Sequence, residues 1–188
     1  NLGCVLQQQG KYDEAKPLLE RAVAIGEKAL GPKHPDVAKR INNLAGLLQA
    51  QGKTDEAKPL FERSIAIGEK ALGPEHPDVA TRLSNLAGLL YYQGKYDEAR
   101  PLYERVITIL EKALGPEHPH VATALNNLAT LLKHQGKFDE AKPLFERAIK
   151  IGEKTHGPDH PNLATRLNNL ALLLDKQGRH REALPLIN

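Results

Sequence analysis

One pattern recurs along the chain every 42 residues, with no insertion or deletion between copies. Its clearest copy runs Asn-Leu-Ala-Gly-Leu-Leu at 43–48, Gln-Gly-Lys at 51–53 and Asp-Glu-Ala-Lys-Pro-Leu at 55–60. All 13 prolines follow the same period, at Pro17, Pro59, Pro101, Pro143, Pro185, Pro32, Pro74, Pro116, Pro158, Pro35, Pro77, Pro119 and Pro161. A period between about 20 and 50 residues is typical of a solenoid, in which each unit packs on its neighbours. The sequence therefore predicts a repeat array.

Each unit predicts two helices, a helix A at 36–51 and a helix B at 55–72 in the clearest copy. The apolar residues of this helix A recur at the spacing of one helical face, at Val37, Ile41, Leu44, Ala45 and Leu48. Gly52 can end helix A in a left-handed conformation. Asp55 is expected to accept hydrogen bonds from the first free amides of helix B. Pro59 then lies in the first turn, or inside the helix if helix B begins at Lys53.

The other copies follow the same plan over the whole chain. The pattern predicts helix B near 13–30, 97–114 and 139–156, and helix A at 78–93, 120–135 and 162–177. The ends are expected to hold half of a helix A at 1–9 and a short piece of helix B at 181–188. We predict one array over 1–188, with partial repeats at 1–30 and 157–188 and full repeats at 31–72, 73–114 and 115–156. The fold class is expected to be all-α, a right-handed α-solenoid superhelix of antiparallel helix pairs.

The composition excludes several classes of partner. Apolar residues make up 40% of the chain and aromatic residues 4%, which predicts an aliphatic core. The net charge is +3 with both signs mixed and no basic block, so we predict no nucleic-acid partner and no membrane partner. No apolar run approaches about 18 residues. The single Cys4 suits a reducing compartment, and we predict a cytoplasmic location. The chain starts inside a repeat without Met, so we expect it to be part of a longer protein.

The repeated motifs resemble those of a known family. Asn-Asn-Leu-Ala-x-Leu-Leu, Gln-Gly-Lys-Tyr/Phe-Asp-Glu-Ala and Ala-Leu-Gly-Pro-Glu-His-Pro-Asp-Val-Ala are similar to tetratricopeptide repeats, in the 42-residue form of kinesin light chains. The resemblance covers the whole chain and implies a protein or peptide partner, bound on a concave face lined by helix A. The early Trp that is frequent in the family is replaced here, by Ile41, Leu83, Leu125 and Leu167. No heptad segment is present, so the resemblance does not extend to attachment to a motor.

The resemblance also implies which side chains bind the peptide. Asn at the sixth position after Val37 holds the peptide backbone or a terminal carboxylate in similar proteins, and it recurs at Asn43, Asn85, Asn127 and Asn169 (the Asn43 series). The alternative is that this amide bonds the neighbouring helix. The adjacent Asn42, Ser84, Asn126 and Asn168 (the Asn42 series) cannot face fully inward at the same time, and the Asn43 series is favoured for the groove.

Other positions on the same face vary between repeats and are expected to select the ligand. The remaining predicted peptide-binding residues are Lys39, Tyr92, Thr130, Lys133 and His134. Lys133 and a protonated His134 could receive an acidic group, whereas Tyr92 either contacts the ligand or covers a neighbouring helix. Gly46 and Gly88 leave room beside the Asn43 series for a ligand side chain.

The recurring histidines predict helix caps and no metal site. His34, His76, His118 and His160 come from different repeats, about 8–10 Å apart, which is too far for a shared zinc ion. Neither a phosphate loop nor a nucleophile constellation around Cys4 is present, so we predict no cofactor, no metal and no enzyme. Besides peptide binding, two alternatives remain open: a structural or sensor region of a larger regulatory protein with intramolecular contacts, and self-association through uncapped repeat ends.

Overall fold

The computed structural model describes residues 10–157 and 160–184. The regular structure in these ranges consists of α1 (Tyr12–Leu30), α2 (Pro35–Ala50), α3 (Thr54–Leu72), α4 (Pro77–Tyr92), α5 (Tyr96–Leu114), α6 (Pro119–His134), α7 (Phe138–His156), α8 (Pro161–Lys176) and the short α9 (His180–Ala183). The even-numbered helices are the predicted A helices and the odd-numbered helices are the B helices. The half helix predicted at 1–9, with Asn1 and Cys4, lies outside the described residues, as does 185–188 of the predicted terminal piece.

The chain divides into two compact units, residues 1–94 and residues 95–188. In the first unit, α2 packs against α1 and α3, α3 packs against α4, and the two A helices α2 and α4 also touch. In the second unit, α6 packs against α5 and α7, α8 packs against α7 and α9, and α6 touches α8. Short links such as 31–34 and 51–53 make consecutive helices antiparallel neighbours. The division into repeats of one array stays a prediction.

Aliphatic side chains and a few rings fill the core of each unit, as the composition predicts. In the first unit, Val37, Ala38 and Ile41 of α2 pack with Ile67 of α3. Phe61 is 1% exposed, and Phe145 is fully buried in the second unit. Burial of such a side chain stabilises the fold by about 1.5–3 kcal/mol. The apolar stripe of each A helix is therefore held inside, and its polar side is left to the surface.

Each of the described A helices, α2, α4, α6 and α8, begins with proline and is capped by the preceding histidine, as predicted. His34 Nδ1 accepts a hydrogen bond from the amide of Asp36 at 3.1 Å. The same contact recurs at His76, His118 and His160, at 3.1, 3.2 and 3.2 Å. At the other end, Gly52 adopts φ +76°, the left-handed conformation predicted for it. The A helices lie one residue earlier than predicted, from Pro35 to Ala50 in the clearest copy.

The predicted cap of the B helices is wrong. The residue before α3 is Lys53, which makes no side-chain cap bond, so Asp55 lies inside the first turn and Pro59 inside the helix. The equivalent aspartates instead accept a hydrogen bond from the glutamine that ends the next A helix. The pairs are Gln51–Asp13 at 3.1 Å, Gln135–Asp97 at 2.9 Å and Gln177–Asp139 at 3.2 Å. The aspartate therefore links successive helices, and its charge still opposes the positive end of the helix dipole.

Within the described ranges, no helix has the length and apolar character needed to cross a membrane.

Candidate functional site

The two asparagine series contact each other between neighbouring A helices. Asn85 Nδ2 of α4 donates a hydrogen bond to Asn42 Oδ1 of α2 at 3.1 Å. In the second unit, Asn169 of α8 donates to Asn126 of α6 at 3.2 Å. These contacts are the ones expected if the amide bonds the neighbouring helix. An amide group has two donors and two acceptor lone pairs, so each half-buried pair keeps capacity for another group. A peptide-binding role for the Asn43 series stays a prediction.

A pocket of about 140 Å³ lies beside the Asn42–Asn85 pair in the first unit. It is lined by Lys39, Asn42 and Asn43 of α2 and by Asp78, Thr81 and Arg82 of α4. The structure thus brings two predicted residues, Lys39 and Asn43, to one concave site. We refer to it as the Arg82 pocket.

Arg82 was missed by the sequence reasoning. It is only 4% exposed, and its Nη1 donates a hydrogen bond to the main-chain oxygen of Asp78 at 2.6 Å. Its Nε is buried without a hydrogen-bond partner. Burial lowers the pKa of Arg82, and the charge of Asp78 offsets only part of that effect. The period carried a signal for this position, because Arg40, Arg82 and Arg166 each stand three residues before a member of the Asn43 series.

A second pocket, of about 440 Å³, lies further along the same side of α2. Its lining combines Gly46, Gln49 and Ala50 of α2 with Thr54 of α3 and Tyr92 of α4. A Cβ added at Gly46 would meet no atom within 4 Å, so this glycine leaves the room that the sequence predicts. Tyr92 is 79% exposed, with its ring edge-on to Tyr91 at 5.5 Å between centroids. We refer to this site as the Tyr92 pocket.

The predicted residues of the second unit are on α6. The Thr130 hydroxyl donates a hydrogen bond within the helix, to the main-chain oxygen of Asn126 at 2.8 Å. Lys133 Nζ lies 6.0 Å from the centre of the Phe145 ring, and the His134 ring lies 6.2 Å from that of Tyr96. Asn127 is half-buried on the same helix.

The positive charge around Lys133 and His134 comes from lysine side chains. Burial lowers the pKa of Lys133 and, with the nearby charges of Lys133 and Lys176, also lowers the pKa of His134. The ordinary pKa of a histidine is 6.5, and these effects lower it for His134. The ring is therefore mainly neutral at pH 7. The positive potential at this end of α6 belongs to Lys133 and Lys176, which leaves His134 as a neutral polar contact.

In the part of the chain that the structure describes, the histidines do not converge on a metal-binding arrangement. His118 and His120 have ring centroids 5.0 Å apart. Among the described residues, no group of three or more His, Cys, Asp or Glu side chains is placed to hold a metal ion.

Comparisons with known proteins agree with this architecture. The sequence model of the tetratricopeptide repeat matches residues 1–57, 39–112, 81–151 and 120–188. A kinesin light chain-type protein of Podosopora anserina with nearly identical TPR-like repeats is 34% identical, with 99% of this chain and 88% of that chain covered and a TM-score of 0.85. BtubC (BKLC) from P. vanneervenii is 24% identical, with 99% and 74% covered and a TM-score of 0.89.

A third solved structure, MamA from AMB-1, is 27% identical over 98% of this chain and 90% of that chain, with a TM-score of 0.64. The comparison with curated proteins finds no match. The predicted fold class, an all-α solenoid of helix pairs, is confirmed.

Proposed function

Because the chain belongs to the tetratricopeptide repeat family, we propose that it binds an extended peptide segment of a partner protein along the polar side of its A helices. The family and its structural relatives support a protein–protein interaction scaffold. Peptide binding along the polar side of the A helices is a more specific proposal than a general scaffold role. The observation that carries it is the pair of pockets on one side of α2, which open beside Lys39 and beside Tyr92.

The spacing of the pockets suits an extended chain. Their α2 residues, 39–43 and 46–50, follow each other on one helical face. The two centres are separated by about two turns, roughly 10 Å at 1.5 Å per residue. An extended peptide covers that distance in about three residues. Two side chains of one short segment can therefore occupy both pockets, while the peptide backbone passes the Asn42–Asn85 pair.

In the second unit, the polar side of α6 and α8 supplies a comparable face. It is more positive at the end of α6. The residues proposed to contact the ligand there are Asn127, Thr130, Lys133, His134 and Asn169. Lys133 favours an acidic group because its charge is only partly solvated and lies near that of Lys176. An acidic segment is therefore the preferred ligand.

A peptide-array screen tests this function. We expect wild-type protein to retain a subset of extended, acidic peptides, and Asn85→Ala with Asn127→Ala to weaken their binding. Each amide hydrogen bond contributes about 0.5–1.5 kcal/mol, so the double variant should bind several-fold more weakly. Equal binding by wild type and double variant would exclude the proposed role of these asparagines.

The control separates ligand contact from helix contact. Asn126→Ala removes the amide pair with Asn169 but leaves Asn169 in place, and Asn126 lines neither pocket. If this variant loses as much peptide affinity as Asn169→Ala, the effect of Asn169 belongs to the packing of α6 on α8. Far-UV circular dichroism should show unchanged helicity in all three variants.

The other expectations remain predictions. Tetratricopeptide proteins are generally non-enzymatic scaffolds, which agrees with the absence of catalytic motifs in the sequence. Self-association would appear as a concentration-dependent sedimentation coefficient, and intramolecular contacts would require a longer chain. The cytoplasmic location, and the exclusion of nucleic-acid and membrane partners, rest on the sequence alone.

A further inference from the structure

Another pocket, of about 290 Å³, lies in the second unit between α7, a B helix, and the loop that joins α5 to α6. Its lining residues are Pro116, Glu117, Arg147, Lys150, Ile151 and Lys154. We refer to it as the Lys150 pocket. Its volume is near the lower end of the range of ligand pockets, about 300–1,000 Å³. None of the described residues that line it belongs to an A helix, so it is separate from the polar side of the A helices.

Two contacts, two helical turns apart on α7, hold the loop against the helix. Arg147 donates a hydrogen bond from Nη2 to the main-chain oxygen of Pro116 at 3.2 Å. The same nitrogen lies 2.6 Å from the carboxylate oxygen Oε1 of Glu111 on α5. Further along α7, Lys154 forms an ion pair with Glu117 of the loop. The loop and the helix are therefore two connected walls of one cleft.

Lys150 gives this cleft a charge that the other B helices lack at the same position. The equivalent residues in α1, α3 and α5 are Ala24, Ala66 and Thr108. The hydrogen bond and the charge of Lys154 lower the pKa of Glu117, and the charge of Lys150 adds to this effect. Arg147 and Lys154 are each paired with a carboxylate. The three basic side chains of the pocket therefore exceed the carboxylates that contact them by one positive charge.

The floor of the pocket is apolar. Ile151 is 5% exposed and lines the space together with Pro116. The methylene stems of lysine side chains add to such a surface while their ammonium groups stay in water. An apolar group with a single negative charge beside it matches this combination. A dianion such as phosphate matches it less well, because it would be repelled by Glu111 and Glu117.

We propose that the Lys150 pocket is a docking site for a segment of a partner protein in which an apolar residue is followed by Asp or Glu. The apolar side chain lies on Ile151 and Pro116, and the carboxylate pairs with Lys150. A chain terminus is captured by several directed donors, such as main-chain amides. A lysine is a single point charge on a flexible stem, which suits an acidic side chain. This site is additional to the proposed function and does not depend on it.

Blocked dipeptides test the site. In protein with labelled isoleucine methyl groups, we expect N-acetyl-Leu-Asp N-methylamide to shift the Ile151 NMR signal until it saturates. N-acetyl-Leu-Asn N-methylamide lacks the charge and should bind about threefold more weakly, since an exposed ion pair contributes little. N-acetyl-Gly-Asp N-methylamide lacks the apolar side chain and should bind about tenfold more weakly. The proposal is overturned if the first probe gives no saturable shift, or if inorganic phosphate or the terminal carboxylate of N-acetyl-leucine binds more tightly.

The other repeats offer a variant that should keep the fold. Lys150→Ala introduces the residue that α1 and α3 carry at this position. We expect it to bind the Leu-Asp probe about threefold more weakly and the Leu-Asn probe as the wild type does. Lys28→Ala, which removes an exposed lysine of α1, is the matched control and should change neither affinity. No weakening in Lys150→Ala, or equal weakening in both variants, overturns the proposal.

Two further variants separate this pocket from the A helices. Glu117→Gln removes a competing carboxylate and releases Lys154, so it should tighten binding of the Leu-Asp probe. The double variant Asn85→Ala with Asn127→Ala should bind the probe as the wild type does, whatever its effect on array peptides. Weaker binding of the probe by either protein overturns the proposal, whereas failure of the peptide array leaves it standing.

Discussion

At the scale of single residues, the histidine before an A helix caps that helix through a nitrogen of its ring. Its Nδ1 accepts the amide hydrogen two residues later, as at His76 with Asp78 and at His118 with His120. The first amides of a helix have no partner within the helix, so this bond satisfies a group that would otherwise depend on water. The proline that follows has no amide hydrogen to satisfy.

We predict that His76→Ala lowers the free energy of unfolding by about 1 kcal/mol, the usual effect of losing a cap. His76→Asn should retain most of the stability, because its side-chain oxygen can accept the same amide. Urea unfolding followed by circular dichroism measures both. Equal losses in the two variants would show that the ring, not its acceptor nitrogen, stabilises the helix start.

A second residue-scale prediction concerns the basic group at the end of α6. Burial, Lys133 and Lys176 each lower the pKa of His134. Removing a positive neighbour favours the imidazolium form, so Lys176→Gln should raise the pKa of His134 toward its ordinary value. NMR titration of the ring protons measures the change. Lys150→Gln, on α7, should leave it unaltered, and a shift of equal size there would contradict the assignment to Lys176.

At the scale of helices, the matched sizes of facing residues determine how a B helix packs on the next A helix. Gly68 gives space to Arg82, and at the equivalent positions of α5 and α6 the buried residues are Leu110 and Ala124, a large residue and a small one. Protein interiors are close-packed, so a change on one helix requires the opposite change on its neighbour. The residue pair, rather than either residue alone, is the unit that varies between repeats.

Exchanging one pair for the other should show this coupling. Leu110→Gly alone should destabilise by about 3 kcal/mol or more, through the cavity and the glycine within a helix. Ala124→Arg alone should destabilise by about 1–3 kcal/mol through overpacking. The double variant should recover part of the loss. Unfolding free energies of the four proteins form a double-mutant cycle, and strict additivity would disprove the matching.

At the scale of the whole molecule, each of the two units contains helices that pack mainly on their neighbours in sequence. Phe61 anchors the first unit and Phe145 the second, both with almost no exposure. In repeat proteins, stability is approximately a sum of repeat terms and nearest-neighbour terms. Each unit therefore contains the contacts that its own helices need.

We predict that residues 1–94 and 95–188, produced separately, each remain helical and unfold in a concentration-independent transition. Phe61→Ala should destabilise the first piece by about 3–5 kcal/mol and leave the second unaffected; Phe145→Ala should do the reverse. Circular dichroism during thermal unfolding is the measurement. A piece without helical signal would mean that its helices need contacts from outside the unit.

The sequence alone determined the helices, because their causes are local: the apolar stripe from Val37, the glycine at Gly52 and the histidine cap lie within a turn of what they control. It therefore placed helix A to within one residue. Only the tertiary structure revealed that Asn85 bonds Asn42, 43 residues earlier in the chain, and that Arg82 lies buried beside a pocket. Both features depend on how a side chain meets the helix packed against it. The periodic pattern of the sequence predicts the helices but does not specify those contacts.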